Sequence, residues 1–118
     1  MKKIKDYNRT NMLIERSIKE LELDLTGMTV LTEAASGNFI VTPVIALKAG
    51  ASKVYVVSKD SGYGQKTEVM AYLKEFIEEI GEDYSKIICV DDKYNDVYIH
   101  SMCCSYYHIY YIYRIDYL

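Results

Sequence analysis

Tryptophan is absent, proline occurs once, and phenylalanine and histidine twice each in a chain of 118 residues. Cysteine is scarce too: there are three, an odd number with Cys103 next to Cys104, which excludes a disulfide framework and sets a reducing compartment, the cytoplasm, as the expectation. Positive charge is not in surplus. Fourteen basic against seventeen acidic residues leave a net charge of -3, so there is no field to grip a phosphate backbone and no dedicated nucleic-acid binder is expected. After Met1 to Lys5 no apolar run has the length of a secretory signal core. The longest uncharged stretch, Val97 to Tyr113, is thick with tyrosine and carries His100 and His108, so it is not read as a membrane span. No repeat of 20 to 50 residues is visible, and the length is that of one small domain, too short for a full cofactor domain joined to a full substrate domain.

What is present is a core-forming pattern, with half of the residues hydrophobic. From Asn11 to Leu25, apolar Ile14, Ile18, Leu21 and Leu25 make the stripe of an amphipathic helix. Met28 to Thr32 reads as a buried strand, and a small-residue loop, Ala34 to Asn38, leads into an apolar helix that Gly50 ends. Pro43 leaves two starts for that helix, near Asn38 or with Thr42 as its cap. Lys53 to Ser58 is the clearest strand, Gln65 to Ile80 a second amphipathic helix with Val69, Leu73, Phe76, Ile77 and Ile80 inward, and Lys86 to Val90 a third strand in which Cys89 reads as a small core residue. Strands that are continuous apolar runs, alternating with helices, predict an α/β fold with a short parallel sheet of three strands covered on both faces. Ligands of such sheets bind at the carboxyl ends of the strands, here the loops after Thr32, Ser58 and Val90.

From Tyr94 the composition changes: eight of the last 25 residues are tyrosine and only Asp96, Arg114 and Asp116 are charged. Such a bias resembles an AU-rich message read in a shifted frame, with truncation after about residue 92 as the expectation. As a genuine segment, Tyr106 to Leu118 has the propensity of a strand whose exposed edge invites self-association. The spacing of His100, Cys103, Cys104 and His108 matches no common zinc site, so no metal is assigned.

A strand followed by a small-residue loop and a helix start presents backbone amides to a phosphate. Eleven residues back from Gly50, the three glycine positions of a G-x-G-x-x-G turn fall on Ala34, Ser36 and Phe39; none is glycine, but Gly37 and Asn38 tolerate positive φ. In this register Phe39 would obstruct packing of the helix on the strand. Twenty-one residues beyond Gly37, where an NAD site carries an acid, stand Ser58, Lys59 and Asp60. A hydroxyl and a cation suit a 2′-phosphate, and Asp60 is either a cofactor contact or a cap.

The residues from Met28 to Phe39 and from Ala49 to Asp60 resemble the first half of a Rossmann NAD(P)-binding domain, of the adenosylhomocysteinase and amino-acid dehydrogenase cofactor-domain type, over about Leu21 to Asp92. The resemblance implies a partial Rossmann-like three-layer domain over residues 1–93, with 94–118 as a tail. It also implies NADP or NAD held by Ala34, Ser36, Gly37, Asn38, Ser58 and Lys59. The family activity is oxidoreductase-like, but turnover is not assigned to these 118 residues. Val30 to Asn38 is also similar to the first motif of Rossmann-like methyltransferases, with Glu33 as the acid facing S-adenosylmethionine. A third expectation is a remnant or interaction domain that binds no nucleotide.

Overall fold

The computed structural model describes residues 1–34, 36–58, 60, 62, 64–90 and the backbone of 109–112. Helix α1, Tyr7–Glu20, starts at Asp6, whose carboxylate accepts from the Arg9 amide. It ends five residues before the expected Leu25, with Glu22 in the left-handed region at φ 52° and the Leu23 amide donating to the Ile18 carbonyl. That closure lets the chain turn back, so Leu25 is buried from the following loop and Leu21 is 62% exposed.

Strand β1 is Thr29–Glu33. A short 3-10 helix, Gly37–Ile40, then runs into α2, Val41–Lys48. This junction resolves Pro43. A tight first turn that becomes α-helical at Val41 puts proline third in α2, where the amide it lacks has no partner within the helix. Phe39 lies 49% exposed on the outside of the 3-10 turn, with Ile40 buried instead, so the expected obstruction does not arise. Strand β2 is Lys53–Val57, α3 Lys66–Glu79, β3 Ile87–Val90 and β4 Ile109–Ile112.

The four strands among the described residues are all parallel, in the order β3-β2-β1-β4. The expected three-strand sheet therefore gains a member from the tyrosine-rich segment, in which Ile109–Ile112 pairs with Thr29–Thr32. Short, uncharged and rich in isoleucine and tyrosine, these residues have the propensity for a strand, and β1 is left with partners on both sides.

The core is mostly on one face. Val30, Val54 and Val56 of the sheet pack with Val44, Ile45 and Leu47 of α2, and with Val69, Leu73, Phe76 and Ile77 of α3. Tyr72, which the periodicity did not mark as inward, is fully buried with them. Ile14 carries α1 onto this layer, and the Lys48 ammonium is held between Glu15 at 2.8 Å and Glu82 at 3.4 Å with its side chain 7% exposed. Right-handed crossovers that step twice in the same direction put α2 and α3 on the same face. The strands alternate, so Leu31, Tyr55, Val57 and Val90 form a separate buried cluster on the opposite face. The three described α-helices all belong to the first face, so the coverage of both faces expected from the sequence is not supplied by them, because successive crossovers in one direction place their helices on the same side. Cys89 is exposed, contrary to expectation, because β3 is an edge strand covered less completely than its neighbours.

Candidate functional site

The strand order reverses at β1: the chain moves outward to β2 and β3, and β4 lies on the other side. In open parallel sheets such a reversal opens a crevice beyond the carboxyl ends of the strands, because the connections leave in opposite directions. The loops after β1 and β2 therefore form the candidate site.

Of the residues singled out in these loops, the structure places Ala34 and Ser58 on neighbouring strand ends. Glu33 and Val57 are the last paired residues of β1 and β2, and the Ala34 amide extends the ladder by donating to the Val57 carbonyl at 3.0 Å. Ala34, buried, and Ser58 thus leave the sheet side by side. Ser36 precedes the 3-10 helix, Gly37 opens it at φ 63°, and Asn38 is exposed within its first turn. Lys59 lies outside the described residues.

Two of the amides in the loop are engaged. Ala34 serves the sheet, and the Gly37 amide donates to the Lys2 carbonyl at 2.9 Å. The Gly37 carbonyl accepts from the Tyr72 hydroxyl at 3.1 Å, and that hydroxyl accepts from the Ile4 amide at 2.8 Å. Burial raises the Tyr72 pKa, which keeps its proton available for Gly37. A buried tyrosine on α3 thereby fixes both the glycine loop and the N-terminal segment, a role that its aromatic side chain at a helical position did not announce.

Ser58 is the anomaly. It is 2% exposed, and among the described residues its Oγ has no hydrogen-bond partner, a condition it shares with Asn11 Oδ1 on α1. A buried hydroxyl left unpaired costs roughly 1–3 kcal/mol, and this one stands at the end of β2 beside the loops of the candidate site. Asp60 takes the second of its two expected roles: its carboxylate accepts from the Lys66 amide at 2.7 Å and caps α3. Glu68 adds a bond from the Gln65 amide at 3.4 Å. The Lys66 ammonium reaches the Val90 carbonyl at 2.8 Å, putting a cation at the carboxyl end of β3 that sequence reasoning did not single out. Glu33 stands exposed at the end of β1.

Among the described residues no group of three or more His, Cys, Asp or Glu side chains could hold a metal, and no helix is long and apolar enough to cross a membrane. The cluster of His100, Cys103, Cys104 and His108 lies outside the described residues. No protein-family model matches the chain, and no curated protein or solved structure matches it either.

Proposed function

We propose that this chain is a nucleotide-cofactor-binding domain of the NAD(P) type. The observation that carries the reading is the buried, unpartnered Ser58 hydroxyl at the end of β2, one strand away from a glycine-containing turn at the reversal of strand order. The adenosine ribose, or its 2′-phosphate, gives Ser58 Oγ the partner it lacks. Lys59, next in sequence, supplies the cation for a 2′-phosphate, which favours NADP over NAD. The exposed Asn38 and the turn around Ser36 and Gly37 face the pyrophosphate. Such a cofactor supplies hydride transfer when bound; the residues named here bind and orient it, and an oxidoreductase-like activity belongs to the family resemblance rather than to an identified acid or base.

A second reading, S-adenosylmethionine, is favoured by one feature, the exposed Glu33 carboxylate at the tip of β1, where an acid would meet a cationic or hydroxylated ligand better than a pyrophosphate. Thermal-shift titration with NADP, NAD and S-adenosylmethionine separates these. A ligand at about 100 times its Kd adds roughly 2.7 kcal/mol to apparent stability. The expected result is a shift with NADP that exceeds the shift with NAD; a shift with S-adenosylmethionine alone transfers the site to the second reading. A cooperative transition unmoved by all three leaves the chain as a non-binding remnant or interaction domain.

A further inference from the structure

We infer that the outer edge of β3 joins that of a second copy of this chain, antiparallel about a two-fold axis at Cys89, so that two four-stranded sheets become one continuous sheet. The inference is independent of the nucleotide reading. Strand β3 pairs with β2 on one side, and among the described residues nothing pairs with its other side. Edge strands ordinarily carry a lysine, a proline or a bulge against such pairing. Ile87–Val90 is uncharged, apolar and unbroken in its register with β2, so shortness is its one protection. Cys89, in its middle, is exposed.

Hydrogen bonding and symmetry fix the register. In a parallel ladder each residue directs its amide and its carbonyl to the same side, and successive residues alternate. The Ile87 amide donates to the Tyr84 carbonyl and not to β2, so Ile87 and Cys89 direct their backbone groups outward while Ile88 and Val90 serve β2. Directly opposite residues of an antiparallel pair share a face, so a two-fold axis perpendicular to the sheet must pass between a residue and its own copy. An axis at Ile88 would set Cys89 against Ile87, whose amide is taken. At Cys89 the axis joins the two Cys89 residues by two backbone bonds, from amides and carbonyls that have no other partner among the described residues. Charge selects the same register. Counted outward from Cys89, the exposed Lys86 comes opposite Asp92 of the second copy at both ends, whereas an axis at Ile88 sets it against Val90 and one at Val90 against Tyr94. The contact is thus self-complementary, which commits the edge to a second copy of this chain.

Analytical ultracentrifugation across a range of concentrations is expected to show one chain in equilibrium with two and nothing larger, because a two-fold contact closes on itself. Cys89→Lys sets two ammonium groups directly opposite each other and is expected to raise the dimer Kd roughly tenfold or more, with the single chain still melting cooperatively because the site is exposed. Lys86→Glu is expected to weaken the dimer, and Asp92→Lys added to the same chain to restore it. A covalent readout is independent of these substitutions. In a Cys103→Ser, Cys104→Ser background, oxidation with diamide is expected to link two chains through Cys89, since directly opposite, hydrogen-bonded residues stand about 5.5 Å apart at Cα, within the span of a disulfide. A single-chain mass at every concentration overturns the inference. So do species that grow beyond two chains, a dimer indifferent to Cys89→Lys, or a dimer that diamide fails to link.

Discussion

Replacing Ser58 with alanine should make the ligand-free protein more stable and the ligand-bound protein weaker. The side chain is 2% exposed and its hydroxyl has no partner, so the native fold carries the desolvation cost of an unpaired polar group, roughly 1–3 kcal/mol. Ser58→Ala removes that cost and leaves only a void the size of one oxygen, for an expected net gain of about 1 kcal/mol, or about 3–5 °C in Tm for a domain of this size. With NADP the sign reverses. A hydrogen bond to a charged group contributes about 1.5–3 kcal/mol, so its loss should weaken binding roughly 10- to 150-fold. The assay is a pair of thermal melts, with and without NADP, on the wild type and the variant. A ligand-free Ser58→Ala protein that melts lower than wild type would refute the reasoning, because the hydroxyl would then have a stabilising partner in the fold itself.

Three further outcomes follow from the backbone and the titrating groups. At Gly50, φ is 102° and an added Cβ would stand 2.8 Å from Thr26 Oγ1, so Gly50→Ala should cost about 2–3 kcal/mol in urea denaturation. Glu22, exposed at φ 52°, is the converse case, and Glu22→Gly should raise stability by about 0.5–1 kcal/mol in the same assay. The pH profile of Tm should fall at both ends. Glu15 and Glu75 have lowered pKa values, the first mainly from its bond to Lys48 and the second from its bond to Tyr7, so their contributions hold above the ordinary carboxylate range and fade as the pH drops through it. Tyr7 is raised from 10.0 to about 12 by burial and by Glu75, so its contribution is complete below pH 10 and lost as the pH climbs towards 12. Tyr7→Phe should flatten that alkaline limb, and an unchanged limb would remove Tyr7 as its source.

Most of the alternation of strand and helix was legible because each central element is a short apolar run closed by glycine: α2 stops before Gly50 and α3 before Gly81, as the pattern implied. The first helix was displaced because its apolar stripe continues past its end. Leu25 satisfies helical spacing but reaches the core from a loop, and only Asp6 and the turn at Glu22 reveal the true limits. The strand propensity of β4 was legible in Tyr106 to Leu118, but its place was not; its partner is 80 residues away, and no local pattern reports such a pairing. In the candidate site, spacing from Gly37 pointed to Ser58 but not to the burial of its hydroxyl, and the contacts that Tyr72 and Lys2 make with Gly37 run across the fold, which sequence order does not encode.

The central place of β1 has a consequence for synthesis. Thr29–Glu33 can pair with β2 once Val57 has left the ribosome, but its other edge waits for Ile109–Ile112. At about 5–20 residues per second, that delay is roughly 3–10 s, during which the middle strand of the finished sheet is an edge strand on a nascent chain. The order of strands thus schedules a window of vulnerability, in which a chaperone or a second nascent chain competes for the place that β4 later takes.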